Sequence, residues 1–564
     1  MALAKLATTA GETLSGTPWN VYPRPQLRRD SYVNLNGTWD FAVTENSVLP
    51  ENYDRKITVP FCPESELSGI GQHFPEGSSL FYRRKLPVPA EHPHGRVLLH
   101  FGAVDQYTEV YVNQTLVGTH IGGYEAFCFD ITDHLQEENE LIVRATDDLR
   151  SHVLPYGKQV MQRGGMWYTP VSGIWQTVWL ECVPESYIRA LDIQVTDTAA
   201  TVTVTPALSG TVVLQGKVYP LEKGAAVLTP EDAHLWTPED PYLYDFTVLA
   251  GEDRVESYFA LRTLEIKQVG DYKRLCLNGK PYFFHGLLDQ GYWPDGLFTP
   301  AAPSCYEADI LAMKNLGFNT LRKHIKVEPE QFYYDCDRLG MVVFQDMVNN
   351  GDYNFLRDTA APTFLSQKRS DTKMHPDPAT RKAFLDGMVA TVQQLKNHPS
   401  ICYWTIFNEA WGQFDSTAAY RILQALDSSR FIDSTSGWFR CGESDVESLH
   451  IYFDMWHRLQ PSEKPLVLSE FGGFAHGVQD HIFNTGKAYG YGTCKTPEQL
   501  NKKLHDLYFS RLIPAVRKGL CAAIYTQVSD VEDEINGLLT YDRKVCKPDP
   551  DTMRSIAQAL REAL

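Results

Sequence analysis

Two glutamates, Glu409 and Glu470, each stand at the end of a short apolar run, a setting that suits acid–base or nucleophilic chemistry. The run before Glu409, residues 401–406, is typical of a strand that is buried on both faces. The run before Glu470 covers residues 466–468. Paired carboxylates cleave glycosidic bonds, because one can protonate the leaving oxygen while the other, ionised, attacks the sugar or activates water. The pair therefore predicts a glycosidase, and a retaining one if the carboxyl groups lie about 5–5.5 Å apart.

An alternation of strands and helices begins near residue 267 and supplies the elements that would position the pair. Strands that alternate with helices in this number predict a closed (β/α)8 barrel. Enzymes with this architecture carry their chemistry at the carboxyl ends of the strands. We therefore expect Glu409, after the fourth strand, to face Glu470, at the end of the seventh, across the barrel mouth. The candidate strands cover residues 283–287, 320–324, 342–346, 401–406, 431–435, 449–452, 466–469 and 522–527.

The chain before the barrel consists of short alternating segments separated by Gly, Asn and Pro, a pattern typical of β-sandwiches. Residues 1–16 are expected to form a tail, and residues 17–184 a jelly-roll domain of sugar-binding type. Before the last strand of that domain, residues 164–168 could form a loop that reaches the barrel mouth. Residues 185–266 predict an immunoglobulin-like β-sandwich, and residues 267–564 are expected to form the barrel. The predicted fold class is a multidomain β plus α/β protein.

Composition and spacing exclude several classes of partner. The net charge is −18, with 70 acidic against 52 basic residues. We therefore expect neither nucleic acid nor an anionic membrane as a partner, because both need clustered Lys and Arg. The 11 cysteines show no CxxC pairs, and His450 and His457 lie outside any HExxH pattern, so we predict no cofactor and no metal site. Reduced cysteines, with no leader or spanning segment in the sequence, predict a cytoplasmic protein. A homo-oligomer is left open.

Several short motifs resemble glycoside hydrolase family 2. The resemblance covers the chain from residue 18 to its end, in the family's order of sugar-binding jelly roll, immunoglobulin-like domain and barrel. It is most specific at the two glutamates. The motifs are Trp19-Asn20, Leu35-Asn36-Gly37-Thr38-Trp39, Val171-Ser172-Gly173-Ile174-Trp175-Gln176, Asn397-His398-Pro399-Ser400, Asn408-Glu409 and Ser469-Glu470-Phe471-Gly472.

The resemblance implies a retaining, exo-acting β-glycosidase in which Glu409 is the general acid/base and Glu470 the nucleophile. It implies that Asn408 hydrogen-bonds the sugar 2-hydroxyl, a contact that strengthens in the transition state. Arg322 would keep Glu470 ionised, because a nearby cation favours the charged form of a carboxyl group. Tyr452 would donate a hydrogen bond to the nucleophile. The implied substrate is a carbohydrate or glycoside.

Further candidates for substrate contact lie near the same strand ends. Two tryptophans flank Glu409 in the sequence, and apolar surroundings favour the protonated form of a carboxylic acid. The other candidates follow the first, second and eighth strands. The full set is Trp404, Trp411, Asp289, Trp293, His324 and Gln527.

Departures from the family pattern bear on the sugar. Family glucuronidases carry an Asn-x-Lys pair near the C-terminus that binds the sugar carboxylate, whereas residues 534–538 here include Glu534 and no lysine. An acidic residue would repel a uronate, so a neutral sugar and a β-galactosidase-like activity are favoured. Lys323 or Lys326 could still meet a carboxylate, and β-glucuronides, galacturonides, mannosides and arabinosides remain alternatives. The remote alternative, an inactive carbohydrate-binding protein, is opposed by the presence of both glutamates.

Overall fold

The computed structural model describes residues 3–88, 95–361, 370–452 and 454–564. Within these residues the chain forms two β-sandwiches followed by a barrel of eight parallel strands. This architecture confirms the predicted fold class. None of the described helices has the length and apolar character that crossing a bilayer requires.

The first β-sandwich combines a six-stranded and a four-stranded antiparallel sheet. Its core includes Phe41 and Tyr82 from the larger sheet and Phe101 from the smaller one. Trp39 and Phe41 are buried while Asp40 between them is not, the period-two pattern of a sheet with one covered face. The strands are Tyr32–Asn34, Gly37–Thr44, Arg55–Val59, Ser79–Lys85, Gly95–Phe101, Val104–Asp105, Tyr107–Val112, Thr115–Ile121, Phe127–Asp130, Glu140–Thr146, Gly173–Ile174 and Val178–Pro184.

The second β-sandwich is smaller and combines a three-stranded with a four-stranded sheet. Residues such as Phe246 and Phe259 form its core. Its size and strand pattern agree with the immunoglobulin-like sandwich expected here, although the residue at which each domain begins and ends stays a prediction. The strands are Ala190–Val195, Ala200–Thr205, Gly210–Leu214, Lys217–Leu221, Ala225–Leu228, Tyr244–Ala250 and Asp253–Phe259.

A small antiparallel sheet leads from the second sandwich into the barrel. Its strands are Leu264–Val269, Tyr272–Leu277 and Lys280–Pro281. Arg274 in this sheet donates a hydrogen bond to the backbone oxygen of Leu520 at 2.9 Å. Since Leu520 begins the last barrel strand, the sheet lies at the amino end of the barrel. This sheet therefore does not cover the carboxyl end of the barrel, where the site is expected.

The barrel strands are numbered β1 to β8 here. They are β1 (Phe284–Asp289), β2 (Thr320–Lys323), β3 (Val342–Asp346), β4 (Ile401–Asn408), β5 (Phe431–Ser436), β6 (Glu447–Ile451), β7 (Leu466–Phe471) and β8 (Leu520–Tyr525). Their order in the sheet is β5-β4-β3-β2-β1-β8-β7-β6. The ring nearly closes between β5 and β6, where the hydroxyl oxygens of Ser436 and Ser448 lie 3.5 Å apart. All eight predicted strands are present, with small differences at their ends.

Helices cover the outside of the barrel. They are α1 (Ser304–Asn315), α2 (Glu330–Leu339), α3 (Pro378–Leu395), α4 (Ser416–Leu426), α5 (Pro497–Leu507) and α6 (Pro550–Glu562), and a short helix, Ile513–Val516, follows α5. In α3, α5 and α6 an Asp or Thr side chain caps the first turn and proline follows it, a common way to begin a helix. In α6 the residues Met553, Ile556 and Leu560 form the buried face, at the spacing of an amphipathic helix.

A segment of the first β-sandwich, residues 155–169, reaches the carboxyl end of the barrel, and we call it the mouth loop. The backbone N–H of Tyr156 donates to the oxygen of Asn349, beyond β3, at 3.1 Å. Further along, Arg163 pairs with Asp533, beyond β8, at 2.9 Å. The expectation that a loop of the first domain reaches the barrel mouth is confirmed.

Candidate active site

The structure brings Glu409 and Glu470 together at the carboxyl end of the barrel. One carboxylate oxygen of each lies within 4.8 Å of the other, and of a ring nitrogen of His450. Retaining glycosidases hold their two carboxyl groups about 5–5.5 Å apart, whereas inverting enzymes leave about 6.5–9.5 Å for a water molecule. The close approach therefore fits direct attack on the sugar by one of the two carboxylates.

Glu409 lies in a turn directly after β4 that has an unusual backbone. The φ angles are 53° at Glu409 and 62° at Ala410, in the left-handed region that costs a non-glycine residue about 1–3 kcal/mol and is often found at functional sites. The N–H of Glu409 donates to the oxygen of Ser436 at the end of β5, at 2.9 Å. This bond fixes the turn, so the half-buried carboxylate is held at the mouth.

Glu470 is held as an ionised carboxylate. Its side chain is buried, and burial alone would raise its pKa. The positive charges of His450 and Arg322 outweigh this effect, and Tyr452 donates a hydrogen bond to Oε2, so the pKa of Glu470 falls to about 2. The guanidinium of Arg322 donates to Oε1 at 3.1 Å. Glu470 therefore carries its negative charge at neutral pH.

Arg322 connects Glu470 to the next strands of the barrel. It is buried, and besides Glu470 it donates to Oδ1 of Asp346 at 2.9 Å and to Oδ1 of Asn408 at 2.9 Å. Because a guanidinium presents its donors in a rigid fork, these bonds fix the orientation of all three partners. The bond to Asn408 uses its amide oxygen, and so the amide nitrogen is the group that Asn408 can offer to a sugar hydroxyl.

His450 is a site residue that the sequence analysis missed. Its Nδ1 lies 2.8 Å from Oε1 of Glu409 and 3.5 Å from Oε2 of Glu470, and its Nε2 lies 2.9 Å from the Ser436 hydroxyl. Two carboxylates face Nδ1, so this nitrogen carries the proton and donates. His450 stands two residues before Tyr452, and alternate residues of a strand share a face. That spacing was the signal that could have found it. With the two glutamates, His450 offers three atoms close enough to share a divalent cation.

His324 lies beside Asp346, which separates it from Arg322. Its Nδ1 and Oδ2 of Asp346 are 2.7 Å apart. Burial lowers the pKa of His324, and the hydrogen bond to Asp346 acts in the opposite direction. His324 therefore helps to fix Asp346, which in turn fixes Arg322. A direct sugar contact of His324 stays a prediction.

Asp289 belongs to a buried network of charges beside the site. Lys323 pairs with Oδ2 of Asp289 at 2.6 Å and with Glu328 at 2.9 Å. Lys326 pairs with Glu328 at 2.9 Å and donates to the backbone oxygen of Gly291 at 2.6 Å. Both lysines are at most 1% exposed. The suggestion that Lys323 or Lys326 could meet a sugar carboxylate is therefore wrong, because carboxylates of the chain already neutralise both.

Two of the predicted substrate-binding tryptophans lie elsewhere. Trp404 is completely buried, and its indole donates to Asp427, which follows α4, at 2.9 Å. It therefore packs between β4 and the helices outside the barrel. Trp293 is 2% exposed, and the guanidinium of Arg543 covers its ring at 4.0 Å. Neither ring is available to a sugar, and both predictions are corrected.

The loop after β8 is held by a chain of amide and carboxylate groups. Gln527 accepts from Gln290 at 2.8 Å and donates to Oδ1 of Asn536 at 2.9 Å. Asn536 donates to Oε1 of Glu534 at 2.9 Å, and Tyr168 of the mouth loop donates to the other oxygen. Gln527 is completely buried, so it orders this loop, and its role as a sugar contact stays a prediction.

Aromatic rings line the mouth next to the pair. Trp411, just after Glu409, packs edge-on against Trp167 of the mouth loop, with centroids 5.1 Å apart. On the other side, Tyr491 stacks on Tyr452 at 3.8 Å. Flat apolar rings of this kind suit the faces of sugars. Trp411 is only 3% exposed, so its contact with a sugar stays a prediction. Trp167 and Tyr491 are half-buried, and neither was predicted, because both lie in loops whose path the sequence pattern does not define.

The barrel and its carboxylate pair define the general class of the protein, a hydrolase of glycosidic bonds. Two family models match the chain: "Glycosyl hydrolases family 2, sugar binding domain" over residues 70–184 and "Glycosyl hydrolases family 2, TIM barrel domain" over residues 268–481. The chain belongs to glycoside hydrolase family 2.

Its relatives include β-galactosidases and β-glucuronidases. The β-galactosidase of Thermoanaerobacter pseudethanolicus is 24% identical over 545 residues, which cover 88% of this chain and 67% of that protein. The β-glucuronidase of Canis lupus familiaris is 25% identical over 564 residues, covering 84% and 82%. A solved β-glucuronidase from an uncultured Clostridium sp. has the same fold, with a TM-score of 0.72 at 19% identity over 95% of this chain and 99% of that one.

Proposed function

We propose that this family 2 hydrolase is a retaining, exo-acting β-glycosidase in which Glu470 is the nucleophile and Glu409 the general acid/base. The observation that carries the proposal is the close approach of the two carboxylates, within 4.8 Å. Their unequal surroundings support the division of roles. Glu470 is buried against Arg322 and kept ionised, whereas Glu409 is half-buried and has no Lys or Arg partner among the described ion pairs.

In the first step, Glu470 attacks the anomeric carbon while Glu409 gives its proton to the leaving oxygen. The bond to the leaving group breaks and a glycosyl ester of Glu470 forms. In the second step, Glu409 takes a proton from water, the water oxygen attacks the anomeric carbon, and Glu470 leaves as a carboxylate. Two inversions give net retention. The amide nitrogen of Asn408 is the donor for the sugar 2-hydroxyl, since Arg322 holds its oxygen.

Two sugar classes compete for this site, and a different observation supports each. Glu534 stands where family glucuronidases have part of their carboxylate-binding pair, and Lys323 and Lys326 are already neutralised, which supports a neutral, β-galactoside-like sugar. A half-buried lysine of the mouth loop, Lys158, supports a β-uronide. Mannosides and arabinosides complete the range of substrates to test.

The experiment is a panel of 4-nitrophenyl β-glycosides that covers these sugars, assayed with the protein and with Glu470→Gln. We expect at least one glycoside to be cleaved and the variant to lose at least about 1,000-fold in kcat, because a nucleophile supplies a step that nothing else replaces. Glu409→Ala with added azide should yield the β-glycosyl azide. An α-azide would contradict retention, and full activity of Glu470→Gln would remove Glu470 as nucleophile.

A further inference from the structure

The cationic side chains around the barrel mouth differ in whether they form ion pairs with carboxylates. Six lysine and arginine side chains at or beside the carboxyl end are paired with carboxylates. They are Arg163, Arg322, Lys323, Lys326, Arg543 and Lys547. Lys158 of the mouth loop differs from them, because no ion pair joins it to another residue in the described part of the chain. Its ammonium lies 5.6 Å from the centre of the Trp167 ring, and the side chain is half-buried.

The backbone of the mouth loop holds Lys158 between the ends of β2 and β3 on one side and the end of β8 on the other. On one side, the N–H of Gly157 donates to the backbone oxygen of Asn349 at 3.2 Å. Gly157 also packs closely against the backbone beyond β2, since a Cβ added to it would come within 3.0 Å of the Ile325 oxygen. On the other side, the oxygen of Lys158 accepts from Tyr168 at 3.0 Å, and the Tyr168 hydroxyl donates to Glu534 beyond β8. The backbone position of Lys158 is therefore fixed by these contacts.

The electrostatics of the neighbouring groups agree with this position. Burial raises the pKa of Glu534, and the Tyr168 hydrogen bond and the positive charge of Lys158 act against it. Burial lowers the pKa of His324, and the charge of Lys158 lowers it further. Both oxygens of Glu534 already accept hydrogen bonds, from Tyr168 and Asn536. Glu534 and Lys158 do not form an ion pair, so the ammonium keeps its capacity to bind an anion.

The order of the barrel strands indicates which part of the substrate Lys158 would contact. In the ring, β8 lies four positions from β4 in either direction, so the two strands are opposite each other. Glu409, after β4, protonates the leaving oxygen, so the leaving group lies on the β4 side. The far end of the sugar ring then points towards β8, beyond which Glu534 accepts from Tyr168 and experiences the charge of Lys158. Lys158 is placed to meet a substituent of the terminal sugar itself.

We propose that Lys158 binds the carboxylate of a terminal β-linked uronic acid, and that the substrates of this enzyme are therefore β-uronides. The first domain thus supplies a cation without an ion-pair partner among the described residues, whereas Arg543 and Lys547 beyond β8 are paired with Asp309 and Asp530. This inference rests on the proposed glycosidase function and adds the chemical class of its substrate. A lysine ammonium that is partly shielded by an aromatic ring interacts more strongly with a carboxylate than one that is fully solvated.

The test compares 4-nitrophenyl β-D-glucuronide and β-D-galacturonide with the neutral β-D-glucoside and β-D-galactoside. Lys158→Met removes the charge and keeps most of the side-chain length, and Lys158→Arg restores a charge. Lys85→Met is the control, because Lys85 is an exposed lysine of the same domain that pairs with Glu138. Thermal unfolding of each variant shows that it is folded.

We expect the protein to prefer a uronide, and Lys158→Met to lower the ratio of kcat/KM for uronide over neutral glycoside about 100-fold, since losing one partner of a shielded charge pair costs that much or more. Lys158→Arg should recover part of the ratio, and Lys85→Met should leave it unchanged. If the protein cleaves only neutral glycosides, or if Lys158→Met lowers both classes equally, the inference is overturned and the glycosidase proposal stands. If no glycoside of the panel is cleaved, the proposed function itself fails.

Discussion

Replacing Tyr452 by phenylalanine removes one hydroxyl from the site and leaves the ring in place. That hydroxyl donates to Oε2 of Glu470 and lies 2.9 Å from the Thr526 hydroxyl. The ring itself is held by stacking on Tyr491. A hydrogen bond to a charged acceptor contributes about 1.5–3 kcal/mol, which corresponds to about 10- to 150-fold in a rate constant.

The loss should appear in hydrolysis of the glycosyl-enzyme, because Glu470 regains its negative charge in that step. We expect kcat for an activated aryl glycoside to fall about 10- to 150-fold in Tyr452→Phe. A burst of nitrophenol should precede the steady state, since the intermediate accumulates. The acid limb of kcat/KM should also move to higher pH, because losing a donor raises the pKa of Glu470.

A matched control exists at the other end of the barrel. The Tyr258 hydroxyl donates to Asp337 at 2.7 Å, a buried tyrosine–carboxylate bond of the same kind remote from the pair. Tyr258→Phe should lower the free energy of unfolding and leave kcat unchanged. Full kcat with an unshifted acid limb in Tyr452→Phe, or an equal loss of activity in both variants, would refute the role of the Tyr452 hydroxyl.

Three further predictions concern pH, His450 and a buried tryptophan. The pKa of Glu470 is lowered to about 2 in the folded protein, whereas a glutamate in the unfolded chain has a pKa of about 4.3. The ionised carboxylate therefore contributes its full stabilisation above about pH 4.3 and loses it as the pH falls towards 2. The unfolding midpoints of the protein and of Glu470→Gln should converge as the pH is lowered. His450→Asn removes the imidazole nitrogen that lies between the two glutamates and lowers the pKa of Glu470, so the acid limb of kcat/KM should shift to higher pH. A superimposable pH profile would contradict this placement of His450. Trp404→Phe should lower the free energy of unfolding by about 1–3 kcal/mol, because it loses the hydrogen bond to Asp427 and leaves a cavity. We expect kcat/KM to stay unchanged. A loss of activity without a loss of stability would indicate that Trp404 contacts the substrate.

The barrel could be predicted from the sequence because its strands are buried on both faces. Runs such as residues 401–406 have no polar alternation and match a parallel strand covered on both sides. The same property explains the error at Trp404. A continuous apolar run does not show which side chains point into the barrel and which towards the helices, so the ring was placed at the site although it faces α4.

Other features depend on contacts between distant parts of the chain. The pairing of Lys323 with Asp289 and Glu328 joins the ends of two strands, and residue spacing alone does not reveal such partners. The same holds for the mouth loop, whose Lys158 and Trp167 reach the barrel from the first domain. His450 was within reach of the sequence analysis, since it shares a strand face with Tyr452.

The central claim, that Glu470 becomes covalently bound to the sugar, is tested most directly by locating that bond. The glycoside that is cleaved best in the panel is prepared as its 2-deoxy-2-fluoro analogue with an activated leaving group, which slows hydrolysis of the intermediate. Mass spectrometry of the digested protein should find one sugar on the peptide that contains Glu470 and none after substitution to glutamine. A sugar attached to Glu409, or turnover with inversion and no covalent adduct, would contradict the account.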